Sequence, residues 1–105
     1  MTDDATIADL LGQALIAYDG LVTLGEDVED EWGYVQDLSG AWRSALERAS
    51  VASGTRSAPQ PAAAAVARLM DEVGRITDPH RAIDWLSTFP QAVLLAVGVD
   101  PWAPT

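Results

Sequence analysis

The sequence contains no cysteine, no lysine and only one histidine. Without cysteine, the chain cannot form disulfides, a thiol nucleophile or a cysteine-based zinc or iron–sulfur site. The single histidine, His80, has no second histidine with which to build a di-iron site of the Glu-x-x-His type. We therefore expect no catalytic residue, no resident metal and no cofactor.

The sequence pattern also lacks a signal peptide and a membrane span. The first residues, MTDDATIADL, are acidic and lack the basic region with which signal peptides begin. No apolar run approaches the roughly 20 residues that cross a bilayer. We expect a cytoplasmic protein that does not bind a membrane.

Negative charge is concentrated in the first half of the chain. The formal net charge is −10, of which residues 1–50 contribute −9 and residues 51–105 contribute −1. Such a field repels phosphate backbones and anionic lipids. We therefore expect no direct binding to nucleic acid, and a protein partner instead.

Apolar residues recur at steps of three and four through the first half, which predicts amphipathic helix. They are Ile7, Leu10, Leu11, Ala14, Leu15, Tyr18, Leu21, Val28, Trp32, Val35, Leu38, Trp42, Ala45, Leu46 and Ala49. We expect a break near residues 20–23, because Gly20 can end a helix and Thr23 with Glu26 fits a capping box. The alternative is one continuous helix of about 65 Å, which only a dimer could cover.

Residues 50–61 are small, polar and punctuated by proline, and they predict a flexible connection. A helix is expected to begin at Pro61, and a short one at Pro79 after an Asp78 N-cap. Pro90 is expected to open a last, apolar helix.

These segments add up to one all-α domain spanning residues 1–105, with an extended tail at about residues 99–105. We predict a compact bundle of four to five helices. Its N-terminal part is a long amphipathic helix or a helical hairpin.

The acidic segment, residues 26–31, has a carboxylate at every position except Val28. On a helical wheel that starts at Val28, the residues Trp32, Val35, Trp42 and Leu46 form a buried stripe, and most of the carboxylates lie outside it. We therefore expect a solvated helical face. Glu31 alone lies near the edge of the stripe, where it can meet a partner.

Glu26, Asp27 and Asp30 have the spacing E-D-x-x-D, which resembles the first magnesium motif of all-helical nucleotide pyrophosphohydrolases of the MazG type. The resemblance implies that these carboxylates bind Mg²⁺, a cation that prefers oxygen ligands. That family also carries an E-x-x-D motif on a later helix, and neither Glu47 nor Glu72 has an aspartate three residues on. A magnesium-dependent pyrophosphohydrolase is the second alternative function.

The chain has four tryptophans. Trp32, Trp42 and Trp85 are expected in the core, because tryptophan buries a large area. Trp102, in VDPWAPT, either folds back onto the domain or anchors a partner.

We predict a non-catalytic, acidic protein–protein interaction module that self-associates as a homo-oligomer. Glu31 and Trp102 are its expected partner-binding residues. The first alternative is an acidic inhibitor or nucleic-acid mimic that binds a basic protein.

Overall fold

A computed structural model describes residues 5–100 of the chain. Four helices pack together in this part: α1 (Ile7–Gly25), α2 (Trp32–Ser53), α3 (Gln60–Gly74) and α4 (Pro79–Ala96). A short 3₁₀ turn, Glu29–Glu31, joins α1 to α2. The predicted all-α bundle with a long N-terminal helical pair is confirmed.

Helix α1 begins with a capping box and runs through the core. The Thr6 hydroxyl accepts a hydrogen bond from the Asp9 backbone N–H at 3.0 Å, and the Asp9 carboxylate accepts from the Thr6 N–H. These bonds satisfy N–H groups that the first turn of a helix leaves unpaired. The buried face consists of Ile7, Leu10, Leu11, Ala14, Tyr18, Leu21, Val22 and Gly25.

By length and composition alone, α1 could also cross a membrane, with a mean hydropathy of 1.4 in its most apolar window. The core helix of a globular protein has the same properties. In this structure the apolar stripe of α1 packs against the other helices.

The break between α1 and α2 lies at residues 26–31, so the expected position at 20–23 was wrong. Thr23 does not cap a new helix, because its hydroxyl donates to the Asp19 carbonyl within α1 at 2.9 Å. The helix ends instead at Gly25, where an added Cβ would lie 3.2 Å from Cγ1 of Ile83 on α4. Close approach of α4 therefore favours glycine at this position.

The connection between α2 and α3 is shorter than expected and is hydrogen-bonded to the start of the chain. Helix α2 continues to Ser53, and Gly54 then turns the backbone with a φ of 54°. The Ile7 N–H donates to the Arg56 carbonyl at 2.9 Å, and the Ala58 N–H donates to the Ala5 carbonyl at 2.9 Å. These bonds hold residues 54–59 against the N-terminal end of α1.

The starts of α3 and α4 agree closely with expectation. Pro61 lies in the first turn of α3, which begins at Gln60. Asp78 is the N-cap of α4, and its carboxylate accepts from the His80 N–H at 3.1 Å. Proline fits the first turn of a helix because the N–H it lacks would have no partner there.

Pro90 was expected to begin a new helix, but it lies inside α4. A proline in a helix cannot donate to the carbonyl four residues earlier, which here belongs to Leu86. The Tyr18 hydroxyl donates to that Leu86 carbonyl at 2.8 Å, although the two residues are 68 positions apart. A side chain from α1 therefore replaces the missing backbone bond, and α4 continues past the proline.

Tyr18 lies at the centre of the core. Its ring is fully buried and stacks with Phe89, with ring centroids 6.5 Å apart. Burial raises the pKa of the Tyr18 hydroxyl far above its ordinary value, because the phenolate would lose its hydration, and Arg43 offsets this only in part. Other large, fully buried side chains are Leu11, Leu46, Leu86 and Leu94.

Candidate interaction surfaces

The acidic segment forms a bend, not the helical face that its spacing predicts. The Val28 N–H donates to the Gly25 carbonyl at 3.2 Å, and the Glu31 N–H donates to the Val28 carbonyl at 3.0 Å. These short-range bonds turn the chain from α1 into α2. The expectation of a helix through this segment was wrong, although its carboxylates do reach solvent, with Glu29, Asp30 and Glu31 all exposed.

The bend does not bring Glu26, Asp27 and Asp30 together. The Glu26 carboxylate accepts a hydrogen bond from the Gln36 amide of α2, while Asp27 and Asp30 are exposed. Within residues 5–100, no three histidine, aspartate or glutamate side chains are arranged to hold a metal ion. The resemblance to the pyrophosphohydrolase motif assumed helical spacing, which this segment lacks.

Trp32 was expected in the core but lies on the surface with 55% of its area exposed. It is the first residue of α2, directly after the acidic 3₁₀ turn. Helix α1, which packs against α2, has already ended at Gly25 before the bend. Tyr34, two residues further along α2, is similarly exposed at 54%.

Glu31 and Trp102 were the expected partner-binding residues. Glu31 is exposed at the end of the 3₁₀ turn, immediately before Trp32, and no hydrogen bond or ion pair engages its carboxylate in the described part of the chain. Trp102 lies outside the described residues. The other two tryptophans behave largely as expected, since Trp42 is buried and Trp85 is half-buried.

A polar groove of about 450 Å³ lies between α1 and α2. Arg43 of α2 forms an ion pair with Asp19 of α1 at 2.6 Å, and Glu26 and Gln36 meet at the other end. These contacts join the two helices. They also pair the charge of Asp19, which would otherwise add to the acidic surface.

A second groove, of about 290 Å³, lies between α1 and α3, and we call it the apolar groove. Its lining includes Leu24, Met70 and Ile76, and every lining residue is aliphatic, methionine or glycine. Ile16 stands at its rim with 75% of its area exposed. The polar groove and two further grooves each include charged side chains.

His80 lies on the surface, as expected. Its side chain is 77% exposed, and Nδ1 is 3.6 Å from the Asp78 carboxylate that caps α4. The nearby groove between α3 and α4 is lined by Arg75, Arg81 and Trp85 among others.

Sequence reasoning missed Ile16, Trp32 and Tyr34 as surface residues. A signal for Ile16 was present: at 100° per residue it falls about 180° from the centre of the buried stripe of α1. Trp32 gave no such signal, because it is the first residue of α2 and lies only about 60° from the centre of the stripe formed by Val35, Trp42 and Leu46. No protein-family model matches the chain, and comparison with curated proteins and with solved structures finds no match.

Proposed function

We propose that this protein is a non-catalytic, acidic helical module that binds other proteins, including further copies of itself. The observation that carries the proposal is the exposure of Trp32 at the start of α2. Tryptophan normally fills space between helices, and on a surface it is among the residues that contribute most to protein–protein binding. The large apolar side chains of Ile16, Tyr34, Val51 and Leu95 are also more than half exposed.

Self-association is the part of this proposal that can be tested without knowing a partner. We expect size-exclusion chromatography with light scattering to give a mass above that of the 11.1 kDa monomer at tens of micromolar protein. A dissociation constant of that order corresponds to an association free energy of about −6 kcal/mol. A strictly monomeric protein at these concentrations would remove self-association from the proposal.

A specific observation favours a second candidate, the binding of a basic protein segment. Glu29, Asp30 and Glu31 are all exposed, and none has an intramolecular hydrogen bond or ion pair in the described part of the chain. Trp32 follows them directly. A ring beside free carboxylates suits an arginine or lysine side chain, which gains both ionic and cation–π attraction.

The second candidate is tested by titrating a synthetic arginine-rich peptide into the protein and measuring the heat of binding. The test variant is Glu29→Gln/Asp30→Asn/Glu31→Gln. The control, Asp37→Asn/Glu47→Gln/Asp84→Asn, removes the same formal charge from exposed sites elsewhere.

We expect the test variant to bind at least about tenfold more weakly than the control, a difference of about 1.4 kcal/mol. Trp32→Ala should weaken binding further, since it removes the ring but no charge. Equal losses in the test and control variants would mean that the peptide senses net charge alone, and would contradict a site at the acidic segment.

A further inference from the structure

Helix α3 is the least buried of the four helices. Only three of its 15 residues, Ala62, Val66 and Val73, are buried, and none of them is larger than valine. Helix α1 buries eight residues, and α2 and α4 bury six each, including the large side chains of Tyr18 and Phe89. Because stabilisation by burial scales with the apolar area removed from water, α3 contributes least to the core.

Grooves run along α3 beside both helices against which it packs. The apolar groove, of about 290 Å³, lies between α3 and α1, and a groove of about 480 Å³ lies between α3 and α4. Leu69 lines the second groove and Met70 lines the first, and both side chains remain half-exposed. Atoms that border a void lack packing partners on that side, so the grooves weaken the attachment of α3.

Polar contacts between helices hold α1, α2 and α4 together. Arg43 of α2 pairs with Asp19 of α1 at 2.6 Å, and the Tyr18 hydroxyl of α1 donates to α4. The ion pair at α3 joins Asp71 to Arg75 one turn later and reaches no other helix. The first turn of α3 also has no side-chain cap, unlike the first turns of α1 and α4.

The chain on either side of α3 is fixed to the other helices. Residues 54–59 are hydrogen-bonded to the N-terminal end of α1, through the Arg56 carbonyl and the Ala58 N–H. On the other side, Asp78 caps α4 by accepting from the His80 N–H at 3.1 Å. Movement of α3 can therefore be confined to residues between 59 and 78, without displacing either anchor.

We propose that α3 is a lid that detaches as one unit from the core of α1, α2 and α4, while those three helices stay folded. A segment with few buried apolar contacts opens at a lower free energy than the whole protein unfolds. Opening exposes the apolar side of α3 and uncovers Leu21 of α1, which lines the apolar groove and is only 3% exposed in the closed form. The lid is independent of the proposed binding function.

The test labels single thiols in the full-length chain, which contains no cysteine of its own. Val66→Cys reports on α3, and Val35→Cys on α2 is the matched control, because both valines are fully buried. Each thiol reacts with dithiodipyridine only when an opening exposes it. The labelling rate from zero to about 2 M urea, divided by the rate in the unfolded chain, gives the open fraction at each site. Equilibrium urea unfolding of the same variant gives the globally unfolded fraction.

We expect the open fraction at Val66→Cys to exceed the globally unfolded fraction at least about tenfold. It should also rise less steeply with urea, because detachment of α3 exposes less surface than global unfolding does. Val73→Cys, near the other end of α3, should show the same excess, whereas Val35→Cys should label only through global unfolding.

Three outcomes would overturn the inference. Equal open and unfolded fractions at both α3 sites would mean that α3 opens only when the whole protein unfolds. An excess at Val73→Cys without one at Val66→Cys would mean that the helix frays at its end and does not open as a unit. An excess at Val35→Cys as large as that at Val66→Cys would mean that the opening is not confined to α3.

Discussion

The contact between Tyr18 and the Leu86 carbonyl connects two residues that sequence reasoning treated separately. Tyr18 was placed in the apolar stripe of the first helix, and Pro90 was interpreted as a helix start. The structure shows that the hydroxyl of one compensates for the N–H that the other lacks. Periodicity could predict that Tyr18 is buried, but not that its polar atom meets a carbonyl 68 residues away.

Tyr18→Phe should lower the free energy of unfolding by about 1–3 kcal/mol, because it leaves the buried Leu86 carbonyl without its partner. In a Pro90→Ala background the same change should cost less, since the restored N–H of residue 90 can donate to that carbonyl. A double-mutant cycle measured by urea unfolding tests this coupling, which we expect at about 1 kcal/mol. Additive effects of the two substitutions would contradict the explanation given for Pro90.

The raised pKa of Tyr18 predicts a loss of stability at alkaline pH. In the unfolded chain this hydroxyl ionises near its ordinary pKa of 10.0, whereas in the folded protein it stays protonated to higher pH. Below pH 10 both states hold the proton and the group gives no pH dependence. Above it the unfolded state binds fewer protons, so the free energy of unfolding should fall by up to about 1.4 kcal/mol per pH unit.

Denaturant unfolding of wild type and Tyr18→Phe between pH 8 and pH 11 measures this effect. The free energy of unfolding should fall less steeply above pH 10 in Tyr18→Phe than in wild type. Tyr34→Phe is the matched control, because that ring is half-exposed and lies outside the core. If the free energy of unfolding of Tyr18→Phe falls as steeply with pH as that of wild type, other groups cause the loss of stability at alkaline pH.

At the scale of the helices, the fold class and most helix starts were predictable from local signals. Asp78 before Pro79, and Pro61 in the first turn of α3, mark starts through capping chemistry that acts within a few residues. The ends were harder to predict. Gly25 at the end of α1 lies close to Ile83 of α4, and the Tyr18 hydroxyl of α1 replaces the hydrogen bond that Pro90 cannot make in α4. Both features depend on contacts that the sequence does not display.

The bend after α1 had a direct consequence for the candidate sites. A wheel that runs unbroken from Val28 to Leu46 places Val35, Trp42 and Leu46 correctly in the core, because these lie within one helix. It wrongly aligns Glu26 and Asp27 with Asp30, because the backbone changes direction between α1 and α2. It also misplaces Trp32, because the wheel does not show that this residue is the exposed first residue of α2. Position on a wheel has meaning only within a continuous helix.

Replacement of the helical glycines should have opposite effects at Gly25 and Gly40. Gly25→Val should destabilise the protein by about 1–3 kcal/mol, since a branched side chain would press on Ile83 and on Val35, whose Cγ2 would be only 3.6 Å from a Cβ. Gly40→Ala, where a Cβ meets nothing within 4 Å, should stabilise α2 by up to about 1 kcal/mol. Melting temperatures of the two variants check the difference, and a tolerated valine at residue 25 would contradict the close approach of α1 and α4.

At the scale of the whole molecule, the uneven charge distribution separates the two proposed binding modes. Association of two copies brings together like charges, whereas a basic peptide meets an opposite field at the acidic segment. Added salt screens both interactions, with a Debye length that falls from about 30 Å at 0.01 M to about 8 Å at 0.15 M.

We therefore expect added salt to tighten the dimer and to weaken peptide binding in the same protein. Sedimentation and calorimetry at low and physiological ionic strength measure the two responses. A dimer that dissociates as salt is added would point to an ionic interface between the two copies.

The bond between Tyr18 and Leu86 also restricts the order in which mutations can accumulate. A lineage can lose Pro90 first, because alanine there supplies its own N–H and leaves the tyrosine free to change later. The reverse order passes through an intermediate with a buried carbonyl that nothing satisfies. Among descendants of this sequence, phenylalanine at residue 18 should therefore be found together with a residue other than proline at 90.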